Sequence, residues 1–274
     1  SSHEEVVLRP TRGFSAINLG ELWKHRELLY FLAWRDIKLR YKQTILGAVW
    51  VIIQPLSLMI VFTLVFGRMG MYSGTNIPYA IFAISGLVPW FCFASALSGS
   101  ANSLVGESGL ISKVYFPRLI IPFATVAGVG LDFLIGFGLI VVLMVIYQVT
   151  PHWTILFAPF FVFVILIAAM SFGLWIAALN VRYRDFRYII PFGLQLAFFL
   201  TPVVWQTAAL PPKYQWLFWL NPMVAIIECF RWMLTGSGDV HWQPLFLSLA
   251  TLTLLFLGGV YFFRRAERNA PDLV

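Results

Sequence analysis

Charge is the scarcest resource in this chain of 274 residues: Asp, Glu, Lys and Arg together make up 11%. A soluble domain carries about 25% charged residues, so this one has too few to coat a water-facing globule. The same shortage excludes a disordered chain, which depends on charge and low hydrophobicity. Cysteine is nearly absent, with Cys92 and Cys229 alone and no CxxC or Cys/His cluster, which removes disulfide scaffolds and zinc sites. Both cysteines sit in apolar surroundings and read as small buried hydrophobes. The four histidines, His3, His25, His152 and His241, fall in flanks or loops, so no catalytic or metal role is expected of them. A phosphate-cradling P-loop is missing too. The glycine-rich run Gly106-Glu-Ser-Gly-Leu-Ile-Ser-Lys113 ends in lysine but has the wrong spacing. Residues 1–46 hold no apolar core of the length a cleavable signal peptide needs, so none is expected.

What is abundant is apolar surface. Hydrophobic residues reach 60%, aromatics 17%, and mean hydropathy is +0.82. These values describe a polytopic membrane protein. Crossing about 30 Å of hydrocarbon takes roughly 20 helical residues. Runs that qualify cover about 48–67, 78–98, 119–147, 154–180, 189–206 and 243–263. Residues 211–238 resist a single crossing, because Pro211-Pro212, Asn221-Pro222, Glu228, Arg231 and Gly236-Ser237-Gly238 interrupt them. Two short helices, about 213–220 and 222–235, fit better, and segments that short read as re-entrant or interfacial. Asn221-Pro222 is at once a turn signal and a helix start. The expected fold class is therefore all-α: six transmembrane helices, an N-terminal segment 1–46, and a re-entrant pair between spans five and six of a membrane domain 47–274.

Basic residues set the orientation. Eight precede the first run: Arg9, Arg12, Lys24, Arg26, Arg35, Lys38, Arg40 and Lys42. Lys113 and Arg118 follow the second run, Arg182, Arg184 and Arg187 the fourth, and Arg264, Arg265 and Arg268 the sixth. Only Arg68, Lys213 and Arg231 of the 19 fall on the other side. The positive-inside rule then places both termini in the cytoplasm, in keeping with an even number of crossings. The net charge of +7 belongs to this topology rather than to nucleic-acid binding.

Within 21–42, Leu22, Leu29, Leu32 and Leu39 form one helical stripe, Trp23, Trp34 and Tyr41 add amphipathic rings, and Arg35, Lys38 and Lys42 lie on another face. This predicts an in-plane interfacial helix, either a basic anchor or the lining of a cytoplasmic entrance. The loop 102–118, with Leu104, Val105, Leu110 and Ile111 among polar residues, fits a small helix across the membrane face, a lever for a docking protein. Ionisable groups at depth cost about 2.5–3.5 kcal/mol each, so each needs a reason. Asp132 is the clearest such acid and reads as a carboxyl bonded to a neighbouring helix or near an interface, or as part of a relay. Glu228 and Arg231, three apart on the second short helix, are placed to pair with each other or to meet substrate.

Several blocks carry a family signature. Arg35-Asp-Ile-Lys-Leu-Arg-Tyr-Lys-Gln-Thr-Ile-Leu-Gly47, with Trp50 and Gln54-Pro55, resembles the opening of the ABC-2 type permeases that export polysaccharides. Lys113-Val-Tyr-Phe-Pro-Arg118 with Pro122, Asn180-Val-Arg-Tyr-Arg-Asp185, Thr201-Pro-Val-Val-Trp205 and Leu220-Asn221-Pro222 resemble the family's later blocks. The likeness runs from about residue 19 to the tail. It is nearest to O-antigen permeases, with teichoic-acid and capsule permeases close behind.

The resemblance implies a half-transporter of the bacterial inner membrane: two copies forming a homodimer with two separate ATPase subunits. ATP and magnesium would then belong to the partner, and this chain would hold no cofactor, no metal and no catalytic residue. It implies a polyprenyl diphosphate-linked glycan as cargo, coupling through Glu107, Lys113, Tyr115 and Arg118, and a re-entrant region marked by Asn221, Pro222, Glu228 and Arg231. Aromatic rings suit a sliding glycan, since they stack on sugar C–H faces without fixing one sequence. Trp50, Phe62, Trp90, Phe198, Phe199 and Trp205 are the candidates to line such a path, with core or lipid packing as the other reading. The diphosphate needs cations at the cytoplasmic boundary, and Arg35, Lys38, Arg40 and Lys42 are placed for it. Two other readings stand beside this one. An intramembrane enzyme on polyprenyl-linked sugars would need paired carboxylates or an Asp/His set near one membrane face, and the cytoplasmic cluster of Arg182, Arg184 and Asp185 lacks a nucleophile or metal set. An ion-coupled transporter would need more buried charge than Asp132.

Overall fold

The apolar runs fold as helices, in a computed structural model that describes residues 23–42, 47, 49–67, 77–111, 116–183, 185–236 and 242–269. Every regular element among them is helical. In chain order they are α1 (Arg26–Lys42), α2 (Val49–Phe66), α3 (Tyr79–Gly106), α4 (Ser108–Ile111), α5 (Ile120–Ile146), a 3₁₀ segment (Trp153–Phe157), α6 (Ala158–Arg182), α7 (Phe186–Leu200), a 3₁₀ turn (Thr207–Ala209), α8 (Pro212–Trp219), α9 (Pro222–Thr235) and α10 (Trp242–Asn269).

Among the described residues, five helical stretches are long and apolar enough to cross a membrane: Val49–Phe66, Tyr79–Gly106, Ile120–Ile146, Trp153–Arg182 and Trp242–Glu267. The bent pair Lys213–Trp219 and Pro222–Thr235, turned by 95° at its break, makes a sixth only if counted as one span. The fifth expected run differs from its prediction. It forms α7, a 15-residue helix that ends at Leu200. At 1.5 Å per residue that is about 22 Å, short of the ~30 Å of hydrocarbon. Pro202 enforces the stop, since the residue before a proline is driven out of the α region; Thr201 is extended, at φ −106° and ψ 136°.

The helix α3 is the hub, with twenty of its 28 residues buried. The helices α5 and α6 flank it, α10 packs on α6, and α9 closes the end near Tyr79. Between apolar helices in lipid, close packing rather than the hydrophobic effect holds the bundle, and small residues allow it. A Cβ on Gly173 of α6 would lie 2.6 Å from Ser100 Oγ of α3, and one on Gly136 of α5 would lie 2.8 Å from Val88 Cγ1. Polar ties add register. Asn180 Nδ2 donates to the Ala101 carbonyl at 3.0 Å, Ser171 Oγ to the Leu252 carbonyl at 3.0 Å, and Trp175 Nε1 to the Leu255 carbonyl at 2.9 Å. Outward faces remain apolar: Val145, Leu156, Phe163 and Leu254 are all well exposed, as lipid-facing side chains are.

The break between α8 and α9 follows from its sequence. Asn221 caps α9 by accepting from the Met223 N–H at 3.1 Å, Pro222 takes the first helical position, and Gly236 ends the helix at φ +65°.

The candidate path and its ion-paired base

The N-terminal helix α1 packs along α5 rather than crossing it at one level. Thr125 Oγ1 donates to Asp36 Oδ2 at 3.5 Å, Gly128 faces Ala33 and Ile37, and Asp132 holds Arg40 and Tyr41. These contacts occupy successive turns of α5, over about 10 Å of its length. The leucine stripe is only partly realised. Leu32 is buried and Leu29 half-buried, but Leu39 is exposed, and Leu22 lies outside the described residues. What α1 buries best is Leu32-Ala33.

Carboxylates engage two of the four cations read from sequence as headgroup ligands. Arg35 forms a bridge, its Nη1 donating to Glu107 Oε2 at 3.2 Å while its Nη2 donates to Glu107 Oε1 and, at 2.9 Å, to Asp36 Oδ1. Burial alone weakens its hold on the proton, but the bonds to Glu107 and Asp36 outweigh that and raise its pKa, so Arg35 is a fixed cation. Arg40 pairs with Asp132, to which Tyr41 also donates its hydroxyl. Burial first, then the bond and charge of Asp132, push the Tyr41 phenol above its ordinary value. Lys38 lies over the Trp34 ring at 5.5 Å, and Lys42 is exposed. Asp132 is thus an anchor for α1. With Gln54 and Ser95 it also lines a cavity of about 300 Å³ between α2, α3 and α5.

Of the coupling candidates, Glu107 joins α1 through Arg35. Arg118 donates its backbone N–H to Glu267 Oε1 at 3.3 Å and pairs with the same carboxylate at 3.9 Å. Lys113 and Tyr115 lie outside the described residues. The loop's expected helix is short: α3 runs on to Gly106, and the four-residue α4 follows.

The aromatic candidates largely converge. Phe62 stacks on Phe198 at 6.2 Å, Phe198 meets Trp90 at 5.7 Å and Phe199 at 5.3 Å, and Trp205 Nε1 donates to the Phe199 carbonyl at 3.3 Å. Trp205 then meets Phe218 at 5.4 Å. Trp90 is buried and Phe199 is exposed, so the strip has a packed side and an open side. Trp50 stands apart, exposed near the start of α2.

At the far end of the strip, buried and half-buried side chains hold the segment after Leu200. Arg231 donates to the Pro202 carbonyl at 2.8 Å and to that of Val203, with its guanidinium 3.8 Å from the centre of the Phe82 ring. Tyr79 donates to the Val204 carbonyl at 2.7 Å, and Asn221 Nδ2 to Thr201 Oγ1 at 2.9 Å. Gly86 makes room, since a Cβ there would lie 2.2 Å from the Val203 carbonyl. The expected Glu228–Arg231 pair is corrected. Glu228 accepts from Thr207, and Arg231 turns to backbone because the broken end of α7 offers carbonyls that hydrocarbon cannot satisfy.

Residues 27–235 match the profile of the ABC-2 type transporter family. The chain belongs to that family. In this family of transporter membrane subunits it is 30% identical to an O-antigen export system permease protein, RfbA, of Klebsiella pneumoniae, over 94% of this chain and 97% of the relative. A protein of that name from Myxococcus xanthus is 28% identical over 92% and 98%. The polysialic acid transport protein KpsM of Escherichia coli is 24% identical over 85% and 91%.

Sequence reasoning missed the pairings that tie α1 down. Arg35 and Glu107 are 72 residues apart, and Arg40 and Asp132 are 92 apart. One signal pointed to the second pair: a lone acid deep in an apolar run requires a cation, but Arg118 and Lys113 lie nearer in sequence than Arg40, so nothing local named the partner.

Proposed function

We propose that this chain is the permease half of an ATP-driven exporter that carries a polyprenyl diphosphate-linked polysaccharide of the O-antigen class out of the cytoplasm. Two copies assemble with two separate ATPase subunits, which hold ATP and magnesium; both termini face the cytoplasm of a bacterial inner membrane. Capsular polysaccharide or teichoic acid is the alternative cargo within the same mechanism. The O-antigen and polysialic acid names of the relatives support a glycan cargo.

The observation that carries the reading is the strip from Phe62 through Phe198 and Phe199 to Trp205 and Phe218, which joins α2, α7 and α8. Stacked ring faces offer weak, repeated contacts to sugar C–H faces, and such contacts let a polymer advance. At the opposite end the Arg35–Glu107 bridge ties α1 to the end of α3, just before α4. A push by a docked ATPase at α4 then moves α1 and, through Arg40 and Asp132, α5. The chain moves cargo and makes or breaks no bond.

The test is complementation. A host that builds lipid-linked O-antigen but lacks its own permease, given this chain and its cognate ATPase, recovers surface polysaccharide. Surface polysaccharide that returns without any ATPase, or lipid-linked glycan that stays cytoplasmic with both subunits present, contradicts the proposal.

A further inference from the structure

The segment between α3 and α5 is tied down at both ends, by ion pairs of opposite sense. At its entrance the segment supplies the acid: Glu107, the residue after α3, is held by Arg35 of α1. At its exit the segment supplies the base: Arg118, two residues before α5, is held by Glu267 of α10. Between the two ties α4 is exposed at Ser108 and Gly109. The exit tie has a local reason. The helix α5 begins without a side-chain cap of its own, because Leu119 stands in the capping position. Glu267 reaches in from another helix, accepting the Arg118 N–H at 3.3 Å with the guanidinium Nε at 3.9 Å. A carboxylate placed there also meets the positive end of the α5 dipole.

Glu267 stands on a helix that reaches the opposite end of the bundle. The helix α10 is unbroken from Trp242 to Asn269, 28 residues and about 42 Å at the helical rise. It meets α5 again further in, where Phe256 lies edge-on to Phe123 at 6.2 Å. One turn before Glu267 its Phe263 is fully buried, so the cytoplasmic end of α10 is seated in the bundle. At its other end Trp242 meets Trp232 of α9 at 6.4 Å. One continuous element thus touches both the start of α5 and the second helix of the bent pair.

We propose that Glu267 is a positioning residue for the coupling segment, and that α10 carries displacement of the segment's exit to α9. The inference rests on the ATP-driven exporter proposed above. It gives a docked ATPase two outputs: Glu107 leads to α1, and Arg118 leads to α10 and the bent pair. A segment fixed at both ends transmits a push that a segment free at one end would absorb. Arg118 and Glu267 are 22% and 29% exposed, and pairs so exposed add little stability, so the tie sets position rather than fold. Adjacency alone is not coupling, and the test therefore reads both ends of α10.

The test combines hydrogen exchange with export, on the full chain alone and with its ATPase partner. In Glu267→Ala alone, Tm is expected to match the parent while exchange at residues 116–121 quickens by up to about fivefold, the most that an exposed pair supports. In the complex, ATP hydrolysis continues and glycan export is lost. Glu267→Gln keeps an acceptor for the Arg118 N–H and retains part of the export. Arg118→Gln keeps the backbone donor and loses less than Glu267→Ala. On ATP binding, exchange in α9 changes in the parent complex and not in Glu267→Ala. Export by Glu267→Ala at the parent rate, or an ATP response of α9 that survives the change, overturns the inference and leaves the proposed function standing. A Tm that falls together with export also overturns it, because Glu267 then only stabilises the fold. A parent complex that exports no prenyl-linked glycan sinks the proposed function instead, and exchange at 116–121 in the chain alone still decides whether Glu267 holds the segment.

Discussion

The Arg35 guanidinium binds the Glu107 carboxylate through both of its terminal nitrogens, joining the N-terminal helix to the end of the most buried helix of the bundle. Both side chains remain about 30% exposed, so the pair contributes little to stability, about 1 kcal/mol or less. In the proposed exporter its part is mechanical. Arg35→Gln or Glu107→Gln should leave Tm nearly unchanged and uncouple ATP hydrolysis from glycan export. The swap Arg35→Glu, Glu107→Arg should restore part of the coupling. Export and ATPase rates measured side by side check this; full export in both single variants would contradict it.

The second anchor is deeper and should behave differently. Asp132 is 14% exposed and accepts from both Arg40 and Tyr41. Asp132→Asn removes the carboxylate that Arg40 and Tyr41 bond, at a cost of about 1.5–3 kcal/mol for bonds to a charged group. Adding Arg40→Gln should recover part of that loss, since two neutral groups need no compensation. Thermal unfolding of the single and double variants gives the coupling directly, and additive losses would exclude the pair.

The pH response follows from Tyr41. Its folded pKa lies above the ordinary value of about 10. The folded state therefore keeps the proton while the unfolded state releases it. The associated stability is fully present below pH ~10 and is lost as pH rises toward the folded value. Between pH ~9 and ~11 the parent's Tm should fall more steeply than that of Tyr41→Phe. Parallel slopes would mean that Asp132 does not hold the phenol.

Asn221 has two tasks, capping α9 and donating to Thr201. Asn221→Ala should cost about 1 kcal/mol from the cap and loosen the segment after Leu200. Hydrogen exchange should then quicken in residues 201–210 and not in α3. Uniform protection across both would show that Arg231 and Tyr79 hold this segment without help from Asn221.

The sequence made the helical class and the break between α8 and α9 legible, because each rests on local pattern. Twenty-residue apolar runs and an Asn-Pro helix start are visible in the sequence itself, whereas the contact of Phe62 with Phe198 spans 136 residues. The sequence did not make legible the partners of Arg35 and Arg40. Ion pairs spanning 72 and 92 residues leave no periodic trace, so these cations read as ligands awaiting a headgroup. The Glu228–Arg231 expectation failed for a related reason: spacing on one helix says which residues can meet, and the unsatisfied carbonyls of Pro202 and Val203 then outbid the nearer carboxylate. The early end of α7 was marked by Pro202 but masked by the continued apolar composition through Trp205.

The most direct test of the account is transport by sealed vesicles that contain this chain and its ATPase partner, loaded with lipid-linked glycan on the ATPase side. The account predicts glycan crossing that requires ATP, survives collapse of proton and sodium gradients, and stops when the partner is left out. ATP hydrolysis by this chain alone, or crossing driven by an ion gradient without ATP, would contradict it.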